Sequence, residues 1–131
     1  MNSVVQQCGT LTKEDVALLE KIGGDLGILA DLSRADVLMY CLCSPQRAIV
    51  VDQARPHSIL PIYDESMVER QVGFSEDPVV LRALTEGQTG VTEIRRRVGN
   101  HSGPAKGAPI VQEAYPIRAP DGRVIAAVCV E

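Results

Sequence analysis

The residues best suited to contact a ligand lie where an apolar run gives way to irregular sequence. Arg55, Pro56 and His57 follow the β-branched run Ile49-Val50-Val51. An Arg side chain can hold a carboxylate or phosphate through paired hydrogen bonds, and a His side chain can report pH or contact a ligand. We therefore predict that Arg55 and His57 contact an effector, together with Tyr63 in the same irregular segment. The alternative is that Arg55 is a salt-bridged surface group at a strand end.

A second basic cluster consists of Arg95, Arg96 and Arg97, and a Gly-rich stretch follows it. Arg95 and Arg97 can close over an anionic effector as a lid, with backbone N–H groups assisting. We retain both as predicted ligand contacts. The alternative is a solvated, charged turn, because neither a phosphate-binding motif nor an aromatic stacking residue stands beside them.

Thiols form the third group, with cysteines at positions 8, 41, 43 and 129. Cys41 and Cys43 are two residues apart on a predicted strand, so their side chains share one face, and Cys129 lies on another predicted strand. Clustered thiols can bind zinc, copper(I) or iron–sulfur centres, or respond to oxidation. Because the spacing Cys-x-x-Cys is absent, buried and reduced core thiols are favoured, and no metal or cofactor is predicted.

Length and charge exclude several classes of function. A chain of 131 residues fits one domain, and a formal net charge of -4 argues against nucleic-acid binding, which needs a positive field. No apolar stretch is long enough to span a membrane, and the N-terminus carries no signal peptide pattern. We expect a cytoplasmic domain that contacts neither membrane nor nucleic acid.

Helix and turn signals organise the chain from residue 12 onward. Thr12, followed by Glu14 and Asp15, is a helix N-cap pattern, and the predicted helix carries an apolar stripe as far as Ala30. Asp77-Pro78 starts a second, shorter helix that ends near Gly87. Residues 1–11 carry little pattern, so we divide the chain into an N-terminal extension, 1–11, and a domain, 12–131.

Strand signals occur in two hairpins. The segment Ala35–Cys43 pairs with the run around Val50, and the segment Ile110–Arg118 pairs with Arg123–Val130 across an Asp-Gly turn. A long irregular connection, 54–73, and a basic loop, 95–109, separate these elements. The order predicts an α+β fold: a mainly antiparallel sheet with the N-terminal helix on one face and a loop–helix excursion on the other.

Four stretches of sequence resemble the N-terminal sensor family of bacterial two-component histidine kinases, whose fold is similar to GAF and PAS domains. They are Leu29-Ala30-Asp31-Leu32-Ser33-Arg34-Ala35-Asp36, Ala54-Arg55-Pro56-His57-Ser58, Glu76-Asp77-Pro78-Val79-Val80 with Ala83, Leu84 and Gly87, and Glu113-Ala114-Tyr115-Pro116-Ile117-Arg118 with Asp121-Gly122-Arg123-Val124-Ile125-Ala126. Their order and spacing together carry the resemblance, which covers about Val16 to Glu131.

The resemblance implies a GAF/PAS-like input domain for signal transduction by phosphorelay. In the complete protein, a PAS-like domain, a dimerising phosphoacceptor helix pair and an ATP-binding kinase domain would follow, with a cognate response regulator as partner. GAF-like sheets also pair the last strand with the first, which would bring Cys129 near Cys41. Neither His57, which follows Pro56, nor His101, which precedes Gly103-Pro104, suits a phosphoacceptor helix.

We therefore expect a homodimeric sensory domain that binds a small effector, which the sequence does not name, or that transmits dimer geometry to a downstream kinase. No catalytic residue is predicted, so the chain is not expected to be an enzyme, although its parent would be a histidine protein kinase. One alternative is a structural homodimerisation module without a ligand, built on the glycine-bearing helix 12–30. Another is a small cysteine-dependent enzyme with His57 as base, or a thiol or metal redox sensor.

Overall fold

The computed structural model describes residues 2–57, 63, 65–96 and 108–131 of the chain. Six strands and four helices occur in this described part. They are α1 (Asn2–Val5), α2 (Lys13–Gly23), α3 (Leu26–Ser33), β1 (Val37–Ser44), β2 (Arg47–Ala54), β3 (Gln71–Gly73), α4 (Pro78–Glu86), β4 (Gly90–Arg96), β5 (Ala108–Arg118) and β6 (Val124–Val130).

The six strands form a single antiparallel sheet with the order β3-β2-β1-β6-β5-β4. Both predicted hairpins are present, because a short turn joins β1 to β2 and the Asp-Gly turn joins β5 to β6. The first and last strands pair at the centre, with Leu38 opposite Cys129. The predicted α+β fold with an antiparallel sheet is therefore confirmed.

Each face of the sheet carries its own layer of buried side chains, because strand residues alternate between the two faces. On one face, Leu19, Leu26 and Ala30 of the N-terminal helices pack against Met39 and its neighbours. On the other face, the apolar side of α4 packs against the even-numbered residues of β1. This arrangement confirms that the N-terminal helical segment lies on one face and the loop–helix excursion on the other, although one N-terminal helix was predicted and two are present.

The predicted start of α2 is confirmed by a capping box. The Asp15 backbone N–H donates to Thr12 Oγ1 over 3.1 Å, and the Thr12 N–H donates to Asp15 Oδ2 over 3.0 Å. The predicted single helix to Ala30 is instead two helices. The first ends at Gly23, where glycine lowers helix propensity, and the chain resumes at Leu26 in a second helix.

The helix predicted from Asp77-Pro78 is also confirmed, with Gly87 closing α4 in a left-handed conformation, φ 68°. Asp77 does not use its side chain as a cap. Its Oδ2 instead accepts a hydrogen bond of 3.2 Å from the Tyr40 hydroxyl, which crosses from the sheet to the start of α4.

Three elements carry too little sequence pattern to be predicted. The strand β3 has only three residues, and the edge strand β4 leaves Val91 62% exposed, so neither shows a clear apolar alternation. Helix α1 has four residues, yet Val4 and Val5 are buried in the core.

The division into 1–11 and 12–131 stays a prediction. No described helix is long and apolar enough to cross a membrane.

Candidate effector pocket

Arg55 and His57 line one pocket, as their proximity in the sequence suggested. The pocket has a volume of about 460 Å³ and lies where β2 ends, facing α3. Its lining residues are Gly27, Gln53, Ala54, Arg55, His57, Ser66 and Val68. The site therefore gathers residues from α3, from the end of β2 and from the segment that precedes β3.

Contacts with Asp31 of α3 hold His57 beside the pocket. The backbone N–H of His57 donates to Asp31 Oδ1 over 2.7 Å, and His57 Nδ1 lies 2.9 Å from Asp31 Oδ2. These two interactions, the backbone one first, hold the pKa of Asp31 below its usual range. Because Nδ1 is engaged by Asp31, the other ring nitrogen is the one that can meet a ligand.

Hydrogen-bond donors dominate the polar groups of the pocket. Gln53 Oε1 accepts the Met67 backbone N–H over 2.6 Å, while Gln53 Nε2 is buried and has no hydrogen-bond partner among the described residues. Arg55 is exposed and forms no ion pair with the residues described. A buried donor without an acceptor is costly, but Gln53 Nε2 is closed off from solvent, so Arg55 is the donor that the pocket offers to a ligand.

Tyr63 does not line the pocket, although it was predicted to contact the same ligand. It is buried, and its hydroxyl donates to the Glu131 carboxylate beyond the end of β6. The same carboxylate accepts a hydrogen bond of 3.1 Å from Gln112 Nε2. The Tyr63 backbone N–H donates to Asp36 Oδ2 over 3.4 Å. Tyr63 therefore belongs to a buried polar network on the α4 face of the sheet.

The hypothesis that Arg95 and Arg97 close over an anionic effector stays a prediction. Arg95 lies on β4, where its backbone is opposite Pro109 of β5, so a regular strand occupies the start of the predicted basic loop. The side chain of Arg95 and the whole of Arg97 lie outside the described residues.

The structure separates the three cysteines that the alternative of a thiol cluster would have brought together. Cys41 and Cys43 do share a face, but the register that pairs Leu38 with Cys129 places Cys129 on the opposite face. Cys8 is the buried cysteine that shares a core cluster with Cys41. Within the described part of the chain, no group of three or more His, Cys, Asp or Glu residues is suited to hold a metal ion.

The amino-acid sequence also matches a known protein family. The chain matches the family model described as "Histidine kinase PdtaS, GAF domain" over residues 1–131. The chain belongs to this GAF domain family. The GAF domain is a sensor domain of a histidine kinase, which confirms the family indicated by the sequence.

Solved structures share the fold of this GAF domain. One, described as the sensor region of a sensor histidine kinase, has a TM-score of 0.64 and 22% identity, and the match covers 92% of this chain and 36% of that one. Another is an IcIR transcriptional regulator from Alicyclobacillus acidocaldarius, with a TM-score of 0.52, 12% identity, and coverage of 82% and 53%. No curated protein matches the chain.

The sequence did not predict two residues that line the pocket of this GAF domain, Gln53 and Ser66, or Asp31, which contacts His57. Asp31, Gln53 and Ser66 are ordinary surface-type residues in the sequence, and they are distant from one another along the chain. Of these three, only Gln53 could have been predicted. It lies two residues before Arg55, and residues two apart on a strand point to the same side. The contact between Asp31 and His57 depends on how α3 packs beside β2.

Proposed function

We propose that this sensor domain binds a small anionic effector, bearing a carboxylate or phosphate group, in the pocket lined by Arg55 and His57. The observation that carries the proposal is that Arg55, an exposed cation without an ion-pair partner among the described residues, lines one pocket together with His57 and Ser66. Arg can bind a carboxylate or phosphate through two parallel hydrogen bonds. The pocket volume of about 460 Å³ falls within the usual range of small-molecule sites.

The charge distribution around the pocket supports an anion over a cation. Two acidic side chains contact pocket residues: the Asp31 carboxylate is occupied by His57, and Asp52 Oδ1 accepts the Gln53 backbone N–H over 2.8 Å. With both carboxylates engaged, Arg55 remains as a charged donor, and Ser66 adds a hydroxyl. An anion would therefore receive hydrogen bonds from several directions, whereas a cation would meet Arg55 at close range.

A titration with inorganic phosphate and, separately, with acetate tests this proposal. We expect each probe to shift the amide resonances of Gly27, Ala54, Arg55 and His57 in nitrogen–proton correlation spectra. Replacing Arg55→Gln should weaken this binding about tenfold or more, because a hydrogen bond to a charged group contributes about 1.5 to 3 kcal/mol. The matched control is Arg82→Gln, which removes an exposed arginine of α4 and should leave the binding unchanged.

Two results would count against an effector site here. One is phosphate and acetate binding that Arg55→Gln and Arg82→Gln reduce equally, which would indicate general charge attraction. The other is the absence of any localised shift with either probe. Shifts with phosphate alone would narrow the effector to phosphorylated compounds, and shifts with acetate alone would narrow it to carboxylates.

In the complete protein, we propose that effector binding biases a downstream histidine kinase between two states. The chain spans 36% of the sensor region that it resembles, which is consistent with further domains in a parent protein. The parent would dimerise, phosphorylate itself and serve a cognate response regulator. Its location in the cytoplasm stays a prediction. Autophosphorylation of the full-length protein should lose its response to the effector in the Arg55→Gln variant.

A further inference from the structure

Four buried polar residues form a hydrogen-bonded network at one end of the central strands. They are Asp36, Tyr63, Gln112 and Glu131, each no more than 9% exposed. The Glu131 carboxylate accepts hydrogen bonds from the Tyr63 hydroxyl and from Gln112 Nε2, and the Glu131 backbone N–H donates to the Asp36 carbonyl oxygen over 2.8 Å. Asp36 Oδ2 in turn accepts the Tyr63 backbone N–H. The network therefore ties the residue that precedes β1 and the connection after β2 to β5 and to the end of β6.

This network lies at the same end of the sheet as the Arg55 pocket. Ala54, which lines the pocket, is opposite Val37 of β1, and Val37 is opposite Val130 of β6 on its other side. These three residues form one row across neighbouring strands. Because adjacent strands are about 4.8 Å apart, the pocket wall and the end of β6 are separated by roughly 10 Å. A few side chains are enough to bridge that distance.

Both walls of the pocket lead along the chain to the network. One wall is α3, where Asp31 holds His57, and Asp36 follows Asp31 by five residues. The other wall is the end of β2 with His57, and Tyr63 follows His57 by six residues. The two walls meet at Glu131, because its backbone N–H donates to Asp36 and its carboxylate accepts the Tyr63 hydroxyl.

We propose that Tyr63 and Glu131 couple the Arg55 pocket to the end of β6. A buried carboxylate that loses a hydrogen-bond donor is left with an uncompensated cost of desolvation, so Glu131 follows its donors when they move. A ligand that draws His57 and α3 together therefore displaces Glu131 through the network. This inference rests on the proposed effector site and adds the residues that carry its signal. In the proposed parent protein, the downstream kinase would follow β6 along the chain.

Two matched tyrosine variants separate the network from the rest of the sheet. Tyr63→Phe keeps the buried ring but removes the hydroxyl that donates to Glu131. Tyr115→Phe is the control, because the Tyr115 hydroxyl is exposed and donates to Glu113 over 2.6 Å, outside the network. Each variant loses one hydroxyl and one hydrogen bond to a carboxylate, so only the place of the lost hydrogen bond differs.

Titration with inorganic phosphate, followed in nitrogen–proton correlation spectra of the 131-residue protein, measures the coupling. We expect phosphate to shift the amide resonances of Ala54 and Arg55 in the wild type and in both variants. It should also shift those of Val130 and Glu131 in the wild type and in the control variant. In Tyr63→Phe, these remote shifts should be lost while the pocket shifts remain.

A second comparison needs no ligand. Asp31→Ala removes both contacts between α3 and His57. Asp25→Ala is its control, because Asp25 is exposed at the start of the same helix and its side chain makes no capping hydrogen bond. We expect Asp31→Ala, but not Asp25→Ala, to shift the amide resonances of Val130 and Glu131.

Together the two comparisons distinguish failure of the coupling from failure of the effector site. Phosphate shifts confined to the pocket amides, or remote shifts that persist in Tyr63→Phe, would overturn the coupling and leave the effector site standing. If phosphate shifts no pocket amide, the effector site fails and Asp31→Ala decides the coupling. Resonances of Val130 and Glu131 that stay unchanged in that variant would then overturn it, and shifted resonances would support it.

Discussion

Asp15 joins two distant parts of the chain through a single carboxylate. It accepts the Thr12 N–H at the start of α2, and its two oxygens each lie 3.1 Å from a terminal nitrogen of Arg123, beside the β5–β6 turn. The Asp15 side chain is 4% exposed, whereas that of Arg123 is 46% exposed. The hydrogen bonds from Arg123, and next the backbone N–H of Thr12, hold the pKa of Asp15 below its usual value of 3.8.

This geometry predicts how stability depends on pH. A carboxyl group whose pKa is lowered by folding stabilises the protein above its unfolded pKa, and this contribution is lost as the pH falls through the folded pKa. Asp15→Asn keeps the acceptor for Thr12 but removes the charge that pairs with Arg123. Urea unfolding should show the variant to be less stable than wild type at neutral pH, with the gap closing below about pH 4.

Glu14→Gln is the matched control, because Glu14 lies in the same helical turn and is exposed. It removes one acidic charge without removing a buried pair. A stability gap of the same size for Asp15→Asn and Glu14→Gln, or a gap for Asp15→Asn that persists undiminished at about pH 2, would contradict the role given to the Asp15 carboxylate.

At the scale of elements, two glycines in helical segments have opposite surroundings. Gly87 ends α4 in the left-handed conformation, φ 68°, and a side chain there would meet the Arg118 guanidinium, which also donates to the Gly87 carbonyl oxygen over 3.3 Å. Gly27 lies in the first turn of α3, with no atom within 4 Å of the position of an added Cβ. The same substitution should therefore have opposite effects at the two positions.

We expect Gly87→Ala to destabilise the fold by about 1 to 2 kcal/mol, because an L-residue in the left-handed region is strained by this amount. Gly27→Ala should stabilise it by about 0.5 kcal/mol, because alanine restricts the unfolded chain and fits the helix. Chemical denaturation of both variants beside the wild type measures the difference. Equal changes of the same sign would show that backbone conformation does not separate these positions.

At the scale of the whole molecule, an exposed apolar ridge on α3 bears on the prediction of a homodimer. Ile28 is 62% exposed and Leu32 is 79% exposed, and residues four apart lie on the same side of a helix. Large apolar side chains that neighbour one another at the surface often mark an interface. Homodimerisation, including the alternative of a purely structural dimer module, stays a prediction, and this ridge is the place to test it.

Sedimentation analysis of Leu32→Lys provides that test. We expect the wild type to sediment as a dimer at micromolar concentration and Leu32→Lys as a monomer, because a buried lysine without a partner opposes association. Val91→Lys is the control, since Val91 is an exposed apolar residue, 62% accessible, on the distant edge strand β4. A wild type that is monomeric throughout, or a Leu32→Lys variant that remains a dimer, would contradict an interface on α3.

Local signals in the sequence determined much of this architecture. Thr12 and Asp15 specified the start of α2, Asp77-Pro78 and Gly87 bounded α4, and Asp121-Gly122 specified the last hairpin, because caps and turns depend on neighbouring residues alone. The order of these elements, with stretches of family-like sequence, was enough to predict the antiparallel α+β fold. Arg55 and His57 are two residues apart at the end of a strand, so the sequence alone indicated that both would line one pocket.

Only the tertiary structure decided which distant residues meet. Strand register places Cys129 on the face opposite Cys41, and helix packing brings Asp31 to His57 and Asp15 to Arg123. A shift of one residue in register would exchange the faces of a strand, and no local signal fixes that choice. The sequence by itself thus determined most of the elements and the family, whereas packing decided the composition of the pocket and the face of the sheet on which each thiol lies.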